Sequence, residues 1–218
     1  MSYGNAIAIC YYLQFYTMIP YITVDNFFES PDLVRYFALN QDYFKGDRGN
    51  WPGIRSHYLD GTNNELFHLT AKKLMSVMPR QYTSFTNLEV TFQIIDKSWG
   101  SGWVHDDDGD RFNMAGMIYL TPDPPVDSGT SFFDFRMDES DKKYQTAFRE
   151  EMNVPDKRNA HPELRAEHRN QWTPNIVVQN RYNRCNIFSS LCWHSADHFF
   201  GESKDDSRLT MVFFGHAI

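Results

Sequence analysis

Cysteine is scarce in this sequence, and the cysteines present form no recognisable pattern. The 218 residues include three, Cys10, Cys185 and Cys192, with no CxxC spacing. A disulfide framework needs more cysteines in an even number, and a cysteine zinc cluster needs paired spacings, so both classes are excluded. The same scarcity favours a reducing compartment, and we expect a cytoplasmic protein.

Positive charge is also in short supply. Lys and Arg number 21 against 28 Asp and Glu, which gives a formal net charge of −7 at pH 7. A protein that binds the phosphate backbone of nucleic acids normally carries a basic face. The sequence therefore predicts no nucleic-acid partner.

The sequence has little in the way of long apolar runs. Residues 6–22 are the most apolar stretch, but Gln14 and Pro20 interrupt it and no Lys or Arg precedes it. It lacks a small-residue cleavage site and is short for a membrane span. We interpret it as a buried first strand or packed arm, and we expect no membrane association.

Aromatic residues, by contrast, are abundant. The chain has 5 Trp, 12 Tyr and 18 Phe, which together make 16% of the residues. Aromatic side chains favour strands and bury large areas. A single domain, which the length also predicts, with a β-rich core is therefore expected.

Two helices are predicted near the N-terminus. Ser30-Pro31 is a typical cap and first turn for a helix running to about Asn40. Residues 41–59 read as a loop. The capping box Thr62–Glu65 begins a second helix, which stops before Pro79.

Short strands follow these helices, as period-two alternation of apolar residues indicates. The predicted strands are Thr86–Ile95, Met114–Thr121, Thr130–Phe135, Ile176–Tyr182, Cys185–Ser190 and Arg208–Phe214. Residues 136–172 interrupt them as a charged insertion or lid, with a helix over Asp141–Met152 and then a polar loop. Helices followed by many strands predict an α+β, mainly β fold built as a sandwich or barrel.

One short motif, Trp103-Val-His105-Asp-Asp107, can bind a metal. Residues two apart in an extended chain point to the same side, so His105 and Asp107 aim at a common point. A second histidine at the end of a later strand would complete a 2-His-1-carboxylate triad, which holds Fe(II) and leaves positions open. His194 is the candidate, and His198 is the alternative.

The acidic run from Asp106 to Asp110 is also compatible with a solvated acidic turn or a calcium-binding loop. The EF-hand template fails, because Arg111 stands where it requires Gly and Met117 where it requires Glu.

An anion site is predicted beside the metal motif. Arg208 begins the last strand, and its planar fork is suited to a carboxylate. Thr210 is two residues further and points to the same side. Tyr119, in the strand after the metal motif, is another donor.

Taken in order, four stretches resemble the Fe(II)/2-oxoglutarate-dependent dioxygenase superfamily. They are WVHDDD, GMIYLTPDPPVDSGTSFF, NRCNIFSSLCWHSA and SRLTMVFF, and they cover most of Trp103–Phe214. Within that superfamily the sequence resembles the prolyl-4-hydroxylase-like branch and an uncharacterised family of marine microbes and their phages. ITVDNFF and PDLVRYFALNQDYF also resemble the family's leading strand and helix.

The resemblance implies one oxygenase domain over residues 1–218, folded as a double-stranded β-helix (jelly roll) with the N-terminal helices packed on one sheet. His105, Asp107 and His194 would be the catalytic iron ligands. Arg208 would pair with the C5 carboxylate of 2-oxoglutarate, assisted by Tyr119.

The distal histidine is the point where the chain departs from many members. His198 lies ten residues before Arg208, which is the commoner spacing. Counting from Asn183-Arg184 places His194 where the family has its ligand, and we prefer His194.

The implied cofactors are Fe(II), 2-oxoglutarate as co-substrate, and ascorbate. The implied reaction hydroxylates a peptidyl, prolyl-like residue or an amino acid and yields succinate and CO2, so the expected partner is a peptide or small molecule. Residues 45–58 and 136–172 are candidate substrate contacts. The alternatives are a non-catalytic jelly-roll binding module and a zinc-dependent hydrolase with the same three ligands.

Overall fold

The computed structural model describes residues 21–45, 51–107, 109–134, 142–154 and 159–218. Residues 6–20 of the apolar stretch that we interpreted as a first strand or arm lie outside these residues. Asp108, Phe135 and residues 46–50 also lie outside them.

The described residues form ten strands and five α-helices. The strands are β1 (Ile22–Val24), β2 (Tyr43–Lys45), β3 (Ile54–Ser56), β4 (Phe85–Ile95), β5 (Met114–Tyr119), β6 (Thr130–Phe133), β7 (Pro174–Val178), β8 (Cys185–Ser189), β9 (Trp193–Ala196) and β10 (Arg208–Ala217). The helices are α1 (Pro31–Leu39), α2 (Leu59–Thr62), α3 (Asn64–Val77), α4 (Lys142–Asn153) and α5 (Pro162–Arg169), and a 3-10 turn spans Lys97–Trp99.

The strands form two antiparallel sheets. The larger has seven strands in the order β1-β8-β5-β10-β4-β3-β2, and the smaller has three in the order β7-β6-β9. The expectation of a mainly β protein is confirmed by this arrangement.

Side chains of the central strand β10 point alternately into the hydrophobic core and toward the space between the two sheets. Leu209, Met211 and Phe213 are fully buried in a cluster that includes Val34 of α1 and Leu74 of α3. The N-terminal helices therefore pack on the outer face of the larger sheet, as expected. The alternate residues of β10 point the other way, toward the smaller sheet.

The first two predicted helices are present, but their caps differ from the prediction. Ser30 is the N-cap of α1 without a side-chain capping bond. Thr62 does not cap the second helix: it ends α2, and its hydroxyl donates to the carbonyl of Tyr58 at 3.2 Å. The cap of α3 is Asn63, whose Oδ1 accepts from the amide of Leu66 at 3.0 Å.

The prediction of an unbroken loop over residues 41–59 was wrong. This stretch contains β2 and β3, which are only three residues long and so show no clear periodicity in the sequence. Gly53 makes the pairing of β3 with β4 achievable. Its φ is +69°, and a Cβ there would lie 2.2 Å from the carbonyl oxygen of Ile94.

The charged insertion is more ordered than the sequence suggested. Helix α4, Lys142–Asn153, confirms the helix predicted over residues 141–152, and its last residue is one position beyond the predicted end. The polar loop predicted after it was wrong in part, because α5 begins at Pro162, where a missing N–H costs nothing in the first turn. The later strands also shifted: β7 ends at Val178 rather than Tyr182, and Trp193–Ala196 forms an unpredicted strand.

No helix within the described part of the chain is long and apolar enough to cross a membrane.

Candidate metal centre

His105 and His194 meet through their backbones. The amide of His105 donates to the carbonyl of His194 at 3.0 Å, and the amide of His194 donates back at 2.8 Å. This isolated bridge attaches the His105 segment to β9, on the side of β9 opposite β6. Because directly opposed residues share a face, the two imidazoles lie together, with ring centroids 4.5 Å apart.

Asp107 joins the two histidines from the adjoining turn. Its amide donates to the carbonyl of Ser190 at 2.8 Å. Its carboxylate oxygens lie 3.9 Å from Nε2 of His105 and 3.7 Å from Nε2 of His194. All three donor atoms lie within 4.8 Å of one another. Metal–nitrogen and metal–carboxylate bonds are each about 2.0–2.2 Å long, so both separations from Asp107 suit a shared ion.

The tautomers of both histidines are determined by backbone carbonyls. Nδ1 of His105 lies 2.9 Å from the carbonyl oxygen of Trp103, and Nδ1 of His194 lies 2.9 Å from that of Cys192. A carbonyl oxygen can only accept, so each Nδ1 carries the proton and donates. When the ring is neutral, this tautomer presents the Nε2 lone pair toward Asp107, as a metal ligand must.

Burial keeps His194 neutral. Loss of solvent lowers its pKa to about 4, with a smaller contribution from His105 in the same direction, while the charge of Asp107 opposes the shift. Phe188 and Phe132 cover the ring, with centroids 4.7 Å and 6.0 Å from it. The side chain is therefore uncharged at neutral pH and ready to coordinate a cation.

His198 does not reach this cluster. Its side chain is 59% exposed and lies on the surface, 3.2 Å from Oδ2 of Asp127. Of the two candidate distal histidines, the fold brings His194 to His105 and Asp107. Asp106 and Asp110 are exposed.

A second polar group lies between the sheets at the start of β10. Arg208 is 4% exposed; its Nε donates to the carbonyl of Ser128 over a long 3.4 Å. Among the described residues, Arg208 Nη2 and the hydroxyl of Thr210 are buried and have no hydrogen-bond partner. Burial lowers the pKa of Arg208, and Tyr119 partly offsets this. These are donors prepared for an acceptor that the described residues do not supply.

Tyr119 stands beside this group. It is opposite Thr210 in the β5–β10 register, and the Arg208 guanidinium lies 5.3 Å from the centre of its ring. Its hydroxyl is 2.7 Å from the hydroxyl of Thr130. All three residues predicted for the anion site are thus assembled in one place.

The register of β6 gives the spacing between the anion group and the histidines. Phe132 is opposite His194, and Thr130 is opposite Ala196. Two residues along a strand span about 6.6–6.8 Å. The Tyr119–Thr130 pair is therefore one strand repeat away from His194, on the same face.

The three clustered residues and Arg208 line one cavity of about 540 Å³ between the two sheets. Its wall includes His105, Asp107, His194 and Arg208, together with Phe188. The volume is typical of a small-molecule site.

The sequence did not reveal a buried ion pair behind the metal motif. Glu151 of α4 and Arg165 of α5 have side chains 0% and 2% exposed, and Arg165 Nη1 donates to Glu151 Oε2 at 2.8 Å. Trp103 Nε1 donates to the same oxygen at 2.7 Å. The insertion thereby holds the residue whose carbonyl orients His105. In a stretch rich in charges, nothing in the sequence distinguishes these two from solvated residues.

Solved structures of similar fold include a prolyl hydroxylase and a member of the 2OG-Fe(II) oxygenase family. A Streptomyces hygroscopicus protein, HygX with nickel and 2-oxoglutarate bound, is 13% identical, with a TM-score of 0.55 over 94% of this chain and 85% of that one. A Trichoplax adhaerens prolyl hydroxylase in complex with a peptide is 10% identical, with a TM-score of 0.51 over 90% and 83%. An oxidoreductase of the 2OG-Fe(II) oxygenase family from Burkholderia pseudomallei is also 10% identical, with a TM-score of 0.50 over 90% and 84%.

The resemblance indicated by the sequence motifs is confirmed at the level of fold. A search of curated proteins found no match. A model of a family of unknown function, DUF6445, matches residues 14–214, and the chain belongs to that family.

Proposed function

We propose that the protein is an Fe(II)- and 2-oxoglutarate-dependent dioxygenase. His105, Asp107 and His194 are the metal ligands, and Arg208, Thr210 and Tyr119 bind the co-substrate. The two sheets then correspond to the double-stranded β-helix of a single oxygenase domain.

One observation carries the proposal: a three-donor cluster and a buried, partly unpaired guanidinium line the same cavity. A 2-oxo dicarboxylate has two ends that match. Its 2-oxo acid end can take two positions on the metal, and its distal carboxylate can accept from Arg208 Nη2 and the Thr210 hydroxyl. Removing those orphan donors from water without a partner would otherwise cost free energy.

The bound iron would supply dioxygen activation, with 2-oxoglutarate giving succinate and CO2 as the substrate gains a hydroxyl group. The residues of the chain supply orientation and exclusion of water. The Nδ1 bonds hold both imidazoles in one tautomer, and Phe188 and Phe132 shield His194. Arg208 aligns the co-substrate from the far end.

The substrate is an amino acid or a peptidyl, prolyl-like residue. Both segments proposed for substrate contact contribute to the cavity wall, through Trp51, Arg55 and Tyr58 on one side and Phe148 and Arg165 on the other. Ascorbate as an additional reductant stays a prediction from the resemblance. A zinc hydrolase or a non-catalytic module with the same three ligands would leave Arg208 and Thr210 without a role.

The direct test is anaerobic titration of the protein with Fe(II) and then 2-oxoglutarate, followed by visible absorption. We expect a charge-transfer band that appears only when both are present. Folded protein that binds Fe(II) but shows no band at saturating 2-oxoglutarate would contradict the proposal. Admission of air should then produce succinate in proportion to the chelate.

A further inference from the structure

A second arginine, Arg55, enters the same cavity from β3. It lies opposite Gln93 of β4 and lines the cavity together with His105 and Asp107. Its guanidinium is 4.6 Å from the centre of the Trp51 ring and 5.7 Å from that of Phe214. Aromatic faces at these distances hold the guanidinium plane and leave its edge for hydrogen bonding.

That edge is poorly satisfied within the described part of the chain. Nε of Arg55 is buried without a hydrogen-bond partner. Nη2 donates only to Oε1 of Gln93, over a long 3.4 Å. The arginine therefore presents two neighbouring N–H donors, which is the side-on fork that a carboxylate accepts bidentately.

The carboxylates whose charge reaches Arg55 have other partners. Asp107 and Glu89 both favour the protonated guanidinium, but burial outweighs them and lowers the pKa of Arg55 to about 10. Asp107 belongs to the metal cluster. Glu89 pairs with Arg111 and accepts from the hydroxyl of Tyr58 at 3.2 Å. Arg55 is thus a half-buried cation at neutral pH, with a buried Nε and without a dedicated anion among the residues described.

Arg55 on β3 and Arg208 on β10 show the same hydrogen-bonding pattern. Each has one long 3.4 Å bond at one donor of the Nε/Nη2 edge and no partner at the other. Arg208 begins β10, whereas Arg55 lies on β3 opposite Gln93, which is in turn opposite Thr210 of β10. In the proposed function both carboxylates of 2-oxoglutarate are already assigned, one to the metal and one to Arg208, so the co-substrate has no carboxylate left for Arg55.

We infer that Arg55 binds a free carboxylate of the primary substrate. The substrate class is then a small carboxylic acid such as a free amino acid, because an internal residue of a peptide has no carboxylate to offer at its backbone. The inference rests on the proposed function, which assigns the Arg208 fork to 2-oxoglutarate and leaves the Arg55 fork for the second reactant.

The test uses protein loaded with Mn(II), which is paramagnetic, and saturating 2-oxoglutarate. The measurement is the paramagnetic relaxation of protons on added probes: acetate and the free L-amino acids, each compared with its primary amide. We expect enhanced relaxation for 2-oxoglutarate, for acetate and for at least one amino acid, whereas the amides should show none beyond the metal-free level.

Two variants separate a specific fork from general attraction. Arg55→Gln should weaken carboxylate binding at least ~10-fold, the scale expected for a lost charge-assisted bidentate contact. Arg111→Gln removes an equal charge from the cavity rim and should stay within about twofold of the wild type. Retained relaxation of 2-oxoglutarate in Arg55→Gln shows that the variant is folded.

Failure of the inference and failure of the proposed function give different results. Wild-type protein that relaxes 2-oxoglutarate but no acid more than its amide would overturn the Arg55 assignment alone, as would equal losses in the two variants. An Arg55-dependent effect on the acids with none on 2-oxoglutarate would instead overturn the co-substrate assignment and keep Arg55 as an anion site.

Discussion

His105 and His194 are paired across a two-bond bridge, at 3.0 and 2.8 Å, and each ring is tied by Nδ1 to the carbonyl two residues before it. The two histidines are therefore oriented by the same kind of local hydrogen bond on segments that are far apart in sequence. The bridge places both Nε2 atoms beside one carboxylate, that of Asp107.

Alanine at any of the three clustered positions should abolish tight Fe(II) binding. His105→Ala, Asp107→Ala and His194→Ala each remove one donor of three, and we expect affinity to fall more than about 100-fold, since loss of an outer-shell partner alone costs 10–100-fold. Equilibrium dialysis under anaerobic conditions measures this. His198→Ala is the matched control and should bind Fe(II) like the wild type; parity between His194→Ala and the wild type would refute the assignment.

Arg208→Lys should weaken 2-oxoglutarate binding although the charge is kept. Lysine cannot reproduce the planar fork, and a hydrogen bond to a charged group is worth about 1.5–3 kcal/mol, or roughly 10- to 150-fold in affinity. The dissociation constant follows from the charge-transfer band in an anaerobic titration. An unchanged constant would mean that the co-substrate is anchored elsewhere.

Thr210→Val should separate binding from stability. The Thr210 hydroxyl is buried without a described partner, so removing it should leave the free energy of unfolding of the ligand-free protein unchanged or raise it by about 1 kcal/mol. The same change should reduce 2-oxoglutarate affinity several-fold. Urea unfolding and the anaerobic titration give the two numbers; a destabilised variant would indicate that the hydroxyl has a structural partner.

Glu151 and its neighbour Glu150 provide a matched pair on α4. Glu151→Ala leaves Arg165 and the Trp103 indole N–H buried without their acceptor, and we expect a loss of about 3–5 kcal/mol. Glu150 is 41% exposed and pairs with His161, so Glu150→Ala should cost at most about 1 kcal/mol. Urea unfolding monitored by circular dichroism compares them, and similar losses would show that the buried pair is not special.

Asp25 should make the free energy of unfolding depend on pH in the acidic range. Arg184 grips its carboxylate with Nε at 2.6 Å and Nη2 at 3.0 Å, and these bonds lower the pKa of Asp25 from 3.8. A depressed folded-state pKa adds stability above the unfolded value and loses it as pH falls through the folded value. Near pH 6 the free energy of unfolding of the wild type should exceed that of Asp25→Asn. The difference should be at most about 1 kcal/mol, because the pair is partly exposed. The gap should shrink below about pH 4; a constant gap would contradict this origin.

Local features of the fold were predictable because they depend on neighbouring residues. The alternation of Val90, Phe92 and Ile94 encodes β4 and its buried face, and all three lie in the main core. A proline in the first turn located α1. The short strands β2 and β3 were missed because three residues carry too little periodicity, and their pairing with β4 is a tertiary contact.

The sequence by itself determined which groups are available for metal and anion binding. These are the His105–Asp107 pair, a distal histidine, and an arginine at the start of the last strand. The sequence did so because strand periodicity fixes which side chains share a face. Only the tertiary structure decided between His194 and His198. The two lie four residues apart, but His194 lines the cavity and His198 lies on the surface of the protein. The tertiary structure likewise revealed Arg55 and the Glu151–Arg165 pair. Such roles arise from contacts between residues far apart in the chain. Burial of a charged side chain depends on those contacts and has no signature in the neighbouring sequence.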